Sequence, residues 1–113
     1  MRGRYTKSIH PNMTELLFVY GTLRDPEVQR KIIGRELVGE PDTLEDYTTV
    51  QIALEDGVYP ILVKTPRENV RGLVLKVLPT DFSALDEYEG DAYQRVRIQL
   101  KSGQEAWVYE GKE

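Results

Sequence analysis

Glu89 occupies a position where a helix should place an apolar side chain. Between Thr80 and Glu89 the large apolar residues before Tyr88 are Phe82 and Leu85, three apart, and they mark the side of a helix that faces a core. Counting seven on from Phe82 or four on from Leu85 reaches position 89, where the stripe calls for another apolar residue and the chain has glutamate. By the same count Glu87 points to solvent and Asp86 sits beside Phe82 at the edge of the buried face. An inward carboxylate is costly unless it is paired, hydrogen-bonded or protonated, and low-dielectric surroundings raise its pKa toward the range of a general acid or base. Glu89 is therefore the candidate proton carrier. The same count leaves open two structural roles: the helix end frays and Glu89 swings into water, or Arg95 or Arg97 pairs with it.

The second feature is the turn Tyr20-Gly21-Thr22-Leu23, where an apolar run stops at a glycine and leads toward a helix start. Such a turn exposes successive main-chain N–H groups, which can bind a carboxylate or a developing oxyanion. A glycine after a strand is also what an ordinary turn requires, and the spacing fits neither a phosphate-binding loop nor a dinucleotide fingerprint.

Composition removes most other chemistries. The 113 residues include no cysteine, which excludes disulfides, thiolate nucleophiles and sulfur-bound metals. The one histidine, His10, lies in a polar leader over residues 1–12 with Arg2, Arg4 and Lys7. Serine–histidine chemistry and histidine-rich metal centres therefore lack their ligand in the expected folded part, residues 13–113, although a site of carboxylates and carbonyls alone stays open. Nineteen acidic against fifteen basic residues give a net charge of −4, and the basic residues are scattered, so nucleic acid is not an expected partner. No segment approaches the roughly 18 apolar residues of a membrane span, and the leader has no apolar stretch of secretory length. The expectation is one domain preceded by a flexible leader, in the cytoplasm, without a membrane partner; the sequence leaves the oligomeric state open.

The elements that must position the two features follow from pattern. Glu15 to Tyr20 reads as a buried strand, and Asp25-Pro26-Glu27 as a helix start with Asp25 at the N-cap, running to about Ile33 and closed by Gly34. Extended stretches are expected at Leu37 to Gly39 and Tyr47 to Leu54. Glu55-Asp56-Gly57 is read as the turn of a hairpin whose second strand, Val58 to Val63, is an edge or bulged strand at Pro60. A polar loop over Thr65 to Asn69 precedes a strand at Val70 to Leu78. A second helix starts with Thr80 as N-cap and ends at Gly90, and strands at Tyr93 to Leu100 and Glu105 to Tyr109 close the chain as a hairpin. Two short helices and six or seven strands without βαβ repeats predict an α+β fold, a small mixed β-barrel closed or nearly closed on itself.

Taken together, Tyr20-Gly21-Thr22-Leu23, Gly57-Val58-Tyr59-Pro60 and Leu85-Asp86-Glu87-Tyr88-Glu89-Gly90, followed by Tyr93 and Arg95, resemble the γ-glutamylcyclotransferase-like proteins, among them the AIG2-like and γ-glutamylamine cyclotransferase-like members. The resemblance covers about Leu16 to Tyr109. It implies a small mixed β-barrel and a reaction that frees an amine or amino acid while closing a γ-glutamyl group into 5-oxoproline, with no metal or cofactor. It also implies that Glu89 is the catalytic acid/base and that Tyr20, Gly21, Thr22 and Leu23 hold the glutamyl part through main-chain N–H groups. Tyr59 and Tyr93 then line the pocket, unless they serve as core and rim packing; Arg95 attracts the substrate carboxylate or offsets acidic neighbours, and Trp107 packs. After Leu23 the chain reads Arg24-Asp25-Pro26, where relatives acting on γ-glutamyl-lysine links often carry a glycine-rich continuation, so the departing amine is left unassigned. The readings that compete with an enzyme on this fold are a binding module for a small carboxylate and a stress-associated interaction protein.

Overall fold

The computed structural model describes residues 14–112; the leader 1–12, with Arg2, Arg4, Lys7 and His10, and Met13 lie outside the described residues. Glu15–Val19 forms β1. Its Leu17, Phe18 and Val19 are all buried, because both faces of this strand are covered. A 3₁₀ turn at Thr22–Arg24 leads into α1, Pro26–Ile33. Asp25 caps α1 by accepting from the Glu27 N–H at 2.9 Å, Pro26 opens it, and Gly34 closes it with a left-handed φ of 84°.

Two long strands follow, β2 (Gly39–Leu54) and β3 (Gly57–Val77), then α2 (Phe82–Glu89), β4 (Tyr93–Gln99) and β5 (Glu105–Gly111). The sheet order is β2-β3-β1-β5-β4, antiparallel throughout except for the central β1–β5 pair. The fold is α+β, with five strands among the described residues rather than six or seven. The reason is local: Leu37 to Gly39 and Tyr47 to Leu54 belong to one excursion, in which β2 begins at Gly39 and continues through the polar stretch that separates them. The stretches Val58 to Val63 and Val70 to Leu78 likewise fuse through Thr65–Asn69, which is strand and not loop. A bulge between Glu45 and Tyr47 absorbs the irregularity: Asp46 takes φ 69°, Arg67 across from it takes φ 72°, and the Arg67 N–H donates to Asp46 Oδ1 at 2.9 Å. Polar residues along this ladder hide its continuity from an apolar-pattern reading.

Pairing with β1 reaches only Leu73–Val77, so β3 is an edge where Pro60 sits, as a strand proline requires. The sheet curls until its edges meet at two places. The Lys101 N–H of the β4–β5 turn donates to Thr43 O of β2 at 2.8 Å, and the Tyr93 hydroxyl of β4 donates to Pro60 O at 2.6 Å. No ladder joins β2 to β4 among the described residues, so the sheet is a curled half-barrel. Inside the curl pack Phe18, Leu44, Val74 and Val108, while Leu17, Val19, Leu75 and Val77 face the helices through Phe82 and Leu85.

The start of α2 differs from expectation. Thr80 does not cap it; a 3₁₀ turn at Pro79–Asp81 precedes Phe82, and Asp81 reaches back to accept from the Leu78 N–H at 2.7 Å. The same buried carboxylate accepts from the two terminal guanidinium nitrogens of Arg35, at 2.6 and 3.1 Å. Burial alone would raise the Asp81 pKa, but the Arg35 bond and the Leu78 N–H outweigh it and hold the group below the usual range. This anchor fixes the N-terminal end of the helix whose other end carries Glu89.

Candidate active site

A cavity of about 290 Å³ opens where the end of β1, the tip of the β2–β3 hairpin, the last turn of α2 and the start of β4 converge. β1 ends at Val19, one residue before Tyr20, and Tyr20, Gly21, Thr22 and Leu23 all line the cavity. Glu89, Tyr59 and Tyr93 line it as well, so the expected acid/base and the turn and tyrosines expected to bind substrate lie on one concave surface, from which Arg95 is absent. Asp56, Pro60, Tyr88 and Tyr109 also contribute to its wall.

Glu89 is half-buried and has no hydrogen-bond or ion-pair partner among the described residues. The helix end does not fray: the Gly90 N–H returns to Asp86 O at 3.0 Å, with φ 85° at Gly90. Neither arginine reaches Glu89. Arg95 holds Asp86 through Nε at 2.9 Å and a second nitrogen at 3.2 Å, and Arg97 lies 3.7 Å from Glu15 and 3.0 Å from Glu105. Loss of hydration without a compensating partner pushes the Glu89 pKa from 4.5 to about 7. Glu87, two residues earlier, is exposed.

The phenols around Glu89 are fixed and protonated. Tyr20 donates to Tyr109 O at 2.7 Å, Tyr93 to Pro60 O at 2.6 Å, and Tyr109 to Asp86 Oδ1 at 2.6 Å. Burial is the main cause that raises all three pKa values. Tyr93 and then Glu89 add to it at Tyr20, Glu89 and then Tyr59 at Tyr93, and the bond to Asp86 at Tyr109. These hydroxyls are committed donors, and Glu89 is left as the cavity group that can exchange a proton near neutral pH.

In the turn, the Gly21 and Thr22 carbonyls accept from Arg24 and Asp25, whereas the N–H groups of Gly21, Thr22 and Leu23 donate to no acceptor among the described residues. Unengaged N–H groups on a cavity wall are suited to an anionic or carbonyl oxygen. Gln29 braces the turn from behind. Its buried side-chain amide donates to Leu23 O and accepts from the Leu37 N–H, both at 2.8 Å. Sequence reasoning missed this residue; its signal was a long polar side chain on α1 between apolar neighbours Val28 and Ile32.

Arg95 does not line the cavity. Its guanidinium lies 4.0 Å from the Phe82 ring centre and 4.9 Å from that of Trp107 while it bridges to Asp86, so it offsets an acidic neighbour. Trp107 packs edge-on to Phe82 and donates its ring N–H to Glu15 at 3.2 Å. Among the described residues no group of three or more histidine and carboxylate side chains is arranged to hold a metal ion, and no helix is long and apolar enough to cross a membrane.

A family described as gamma-glutamyl cyclotransferase, AIG2-like, matches residues 17–113. AIG2-like protein C of Arabidopsis thaliana is 32% identical over 85 residues, which are 74% of this chain and 48% of that protein. The chain thus spans about half the length of this curated relative. A solution structure of an Arabidopsis thaliana protein superposes with a TM-score of 0.74 at 25% identity, over 87% of this chain and 62% of that one. A solved gamma-glutamyl cyclotransferase superposes at 0.71 with 19% identity, over 88% of this chain and 68% of that one, a likeness of fold.

Proposed function

The chain belongs to the gamma-glutamyl cyclotransferase, AIG2-like family, and from that premise we propose that it cyclises a γ-glutamyl compound to 5-oxoproline, releasing an amine or amino acid, with Glu89 as acid/base. One observation carries the reading: a carboxylate without a partner among the described residues, pushed to a pKa of about 7, shares a cavity with a turn whose N–H groups are unengaged among those residues.

In this reaction Glu89 takes a proton from the substrate's α-ammonium, and the freed nitrogen attacks the γ-carbonyl carbon. The new C–N bond closes the five-membered ring. As the tetrahedral centre collapses, the bond from that carbon to the departing nitrogen breaks, the protonated Glu89 gives its proton to the leaving amine, and the ring nitrogen sheds its second proton to the freed carboxylate, which passes it on as the amine departs as an ammonium ion. A pKa near neutrality suits a group that must act in both directions. Nucleophile and electrophile are parts of one molecule, so a wall that keeps the glutamyl chain folded supplies much of the rate as proximity, and these steps call on no cofactor. The N–H groups of Gly21 to Leu23 are donors for the α-carboxylate or the oxyanion, and the fixed phenols of Tyr20 and Tyr93 keep the remaining wall rigid.

The test is incubation with γ-glutamyl amines and γ-glutamyl dipeptides, followed by mass-spectrometric detection of 5-oxoproline. Glu89→Gln keeps the shape of the side chain and removes its proton transfer, and is expected to lower turnover on the order of a hundredfold or more. Glu87→Gln, on the exposed side of α2, is the control and should keep wild-type turnover. Equal rates in wild type and Glu89→Gln on a substrate that the wild type cyclises would exclude the mechanism. Tight binding of a glutamyl ligand without turnover would favour the carboxylate-binding module instead.

A further inference from the structure

We infer that Asp56 selects γ-glutamyl compounds whose departing amine carries a positive charge and no carboxylate; the inference rests on the cyclotransferase reading of the cavity. Among the described residues, those that line the cavity include two carboxylates, Glu89 and Asp56, and no lysine, arginine or histidine. Asp56 is exposed, in the tight turn that joins β2 to β3; its carboxylate interacts with the Tyr59 hydroxyl by charge and by a side-chain hydrogen bond and has no ion-pair partner among the described residues. The Tyr59 hydroxyl also donates to the Asp56 main-chain oxygen, at 3.3 Å. The cations nearest the site in sequence are committed elsewhere: Arg24 Nε donates to Gly21 O at 3.0 Å and Arg95 is held by Asp86.

The consequence is an asymmetry between the two ends of a substrate. A carboxylate on the glutamyl part can use the free N–H groups of the Gly21 to Leu23 turn. A second carboxylate on the departing amine meets no counter-charge among the described residues of the wall and is repelled by Asp56, whereas an ammonium there is attracted. Because Asp56 is exposed, the effect is that of a surface charge pair and is weakened by salt.

The experiment compares three γ-glutamyl compounds of similar length whose departing amines are 1,4-diaminobutane, pentylamine and 4-aminobutanoate. At low ionic strength kcat/KM should fall in that order, by about fivefold at each step, the upper end for an exposed pair. Asp56→Asn should draw the three values together, and Asp56→Lys should reverse the order. Equal values in the wild type, or an order unchanged in both variants, overturns the inference. If no compound yields 5-oxoproline, it is the cyclotransferase reading that fails. The dissociation constants of the same three compounds, measured by calorimetry on wild type and variants, then decide the charge selection: the same order and its reversal uphold it, and equal affinities or no binding overturn it.

Discussion

The Tyr109 hydroxyl donates to Asp86 Oδ1 at 2.6 Å, a bond that ties β5 to α2 one turn before Glu89. Asp86 is closed on its other side by Arg95, which packs on Phe82 and Trp107, so the last turn of α2 is held from the sheet by one carboxylate with two donors. Burial would raise the Asp86 pKa, but the bonds from Tyr109 and Arg95 hold it below the usual range. Three residues apart on one helix, Asp86 is kept charged by partners and Glu89 is pushed toward neutrality by burial.

Tyr109→Phe removes one donor from Asp86 and leaves the ring in place. The expected cost is about 1–2 kcal/mol of unfolding free energy, read as a lower urea midpoint with unchanged slope. Arg95 still holds Asp86, so a loss several times larger would mean that the sheet and not the helix end depends on this bond.

Gly72 allows β3 to cross close to β1. A Cβ at this position would lie 2.3 Å from Val19 O and 2.8 Å from Phe18 Cζ, and neither a main-chain oxygen nor a packed ring can give way cheaply. Gly72→Ala should therefore destabilise the protein by about 2–3 kcal/mol or more, through overpacking. Gly103, at φ 96° in the β4–β5 turn with open space around it, is the comparison, since its alanine variant costs only backbone strain of about 1 kcal/mol. Equal midpoints for the two variants in chemical denaturation would contradict this account.

The parts of the site that were legible in the sequence are those set by local periodicity. The inward position of Glu89 follows from Phe82 and Leu85 on one helix, and the turn at Gly21 follows from the end of an apolar run. The cap at Asp25 follows from the residues next to it. What stayed hidden depends on pairs distant in the chain. Nothing in the sequence links Tyr20 to Tyr109 or Tyr93 to Pro60, because the first bond needs the pairing of β1 with β5 and the second exists only once the sheet has curled. The strand count failed for a related reason: the bulge at Asp46 and Arg67 carries two strands through polar residues that read as loops. At Thr80, a hydroxyl in a plausible capping position lost to a carboxylate one residue later, which could satisfy the Leu78 N–H and Arg35 together.

The sign of the Glu89 effect makes the last prediction a strict one. An unperturbed glutamate titrates at 4.5, and Glu89 in the folded protein at about 7. Between these values the native state holds a proton that the unfolded chain has released, so unfolding free energy falls as pH rises through this window. Below about 4.5 the group is neutral in both states and costs nothing by this route; above 7 the desolvation cost is fully present, on the order of 1–3 kcal/mol. Glu89→Gln is neutral at every pH and of the same shape. It should therefore match the wild type in stability near pH 4.5 and exceed it at about pH 8.5, the gap opening across the intervening range in urea titrations. In the wild type kcat/KM should rise with pH through about 7 as the carboxylate forms, on any substrate that it cyclises. A stability difference between the two proteins that is constant from about pH 4.5 to 8.5 would mean that Glu89 is hydrated in the native state, and a hydrated carboxylate would lose the raised pKa on which its role as acid and base depends.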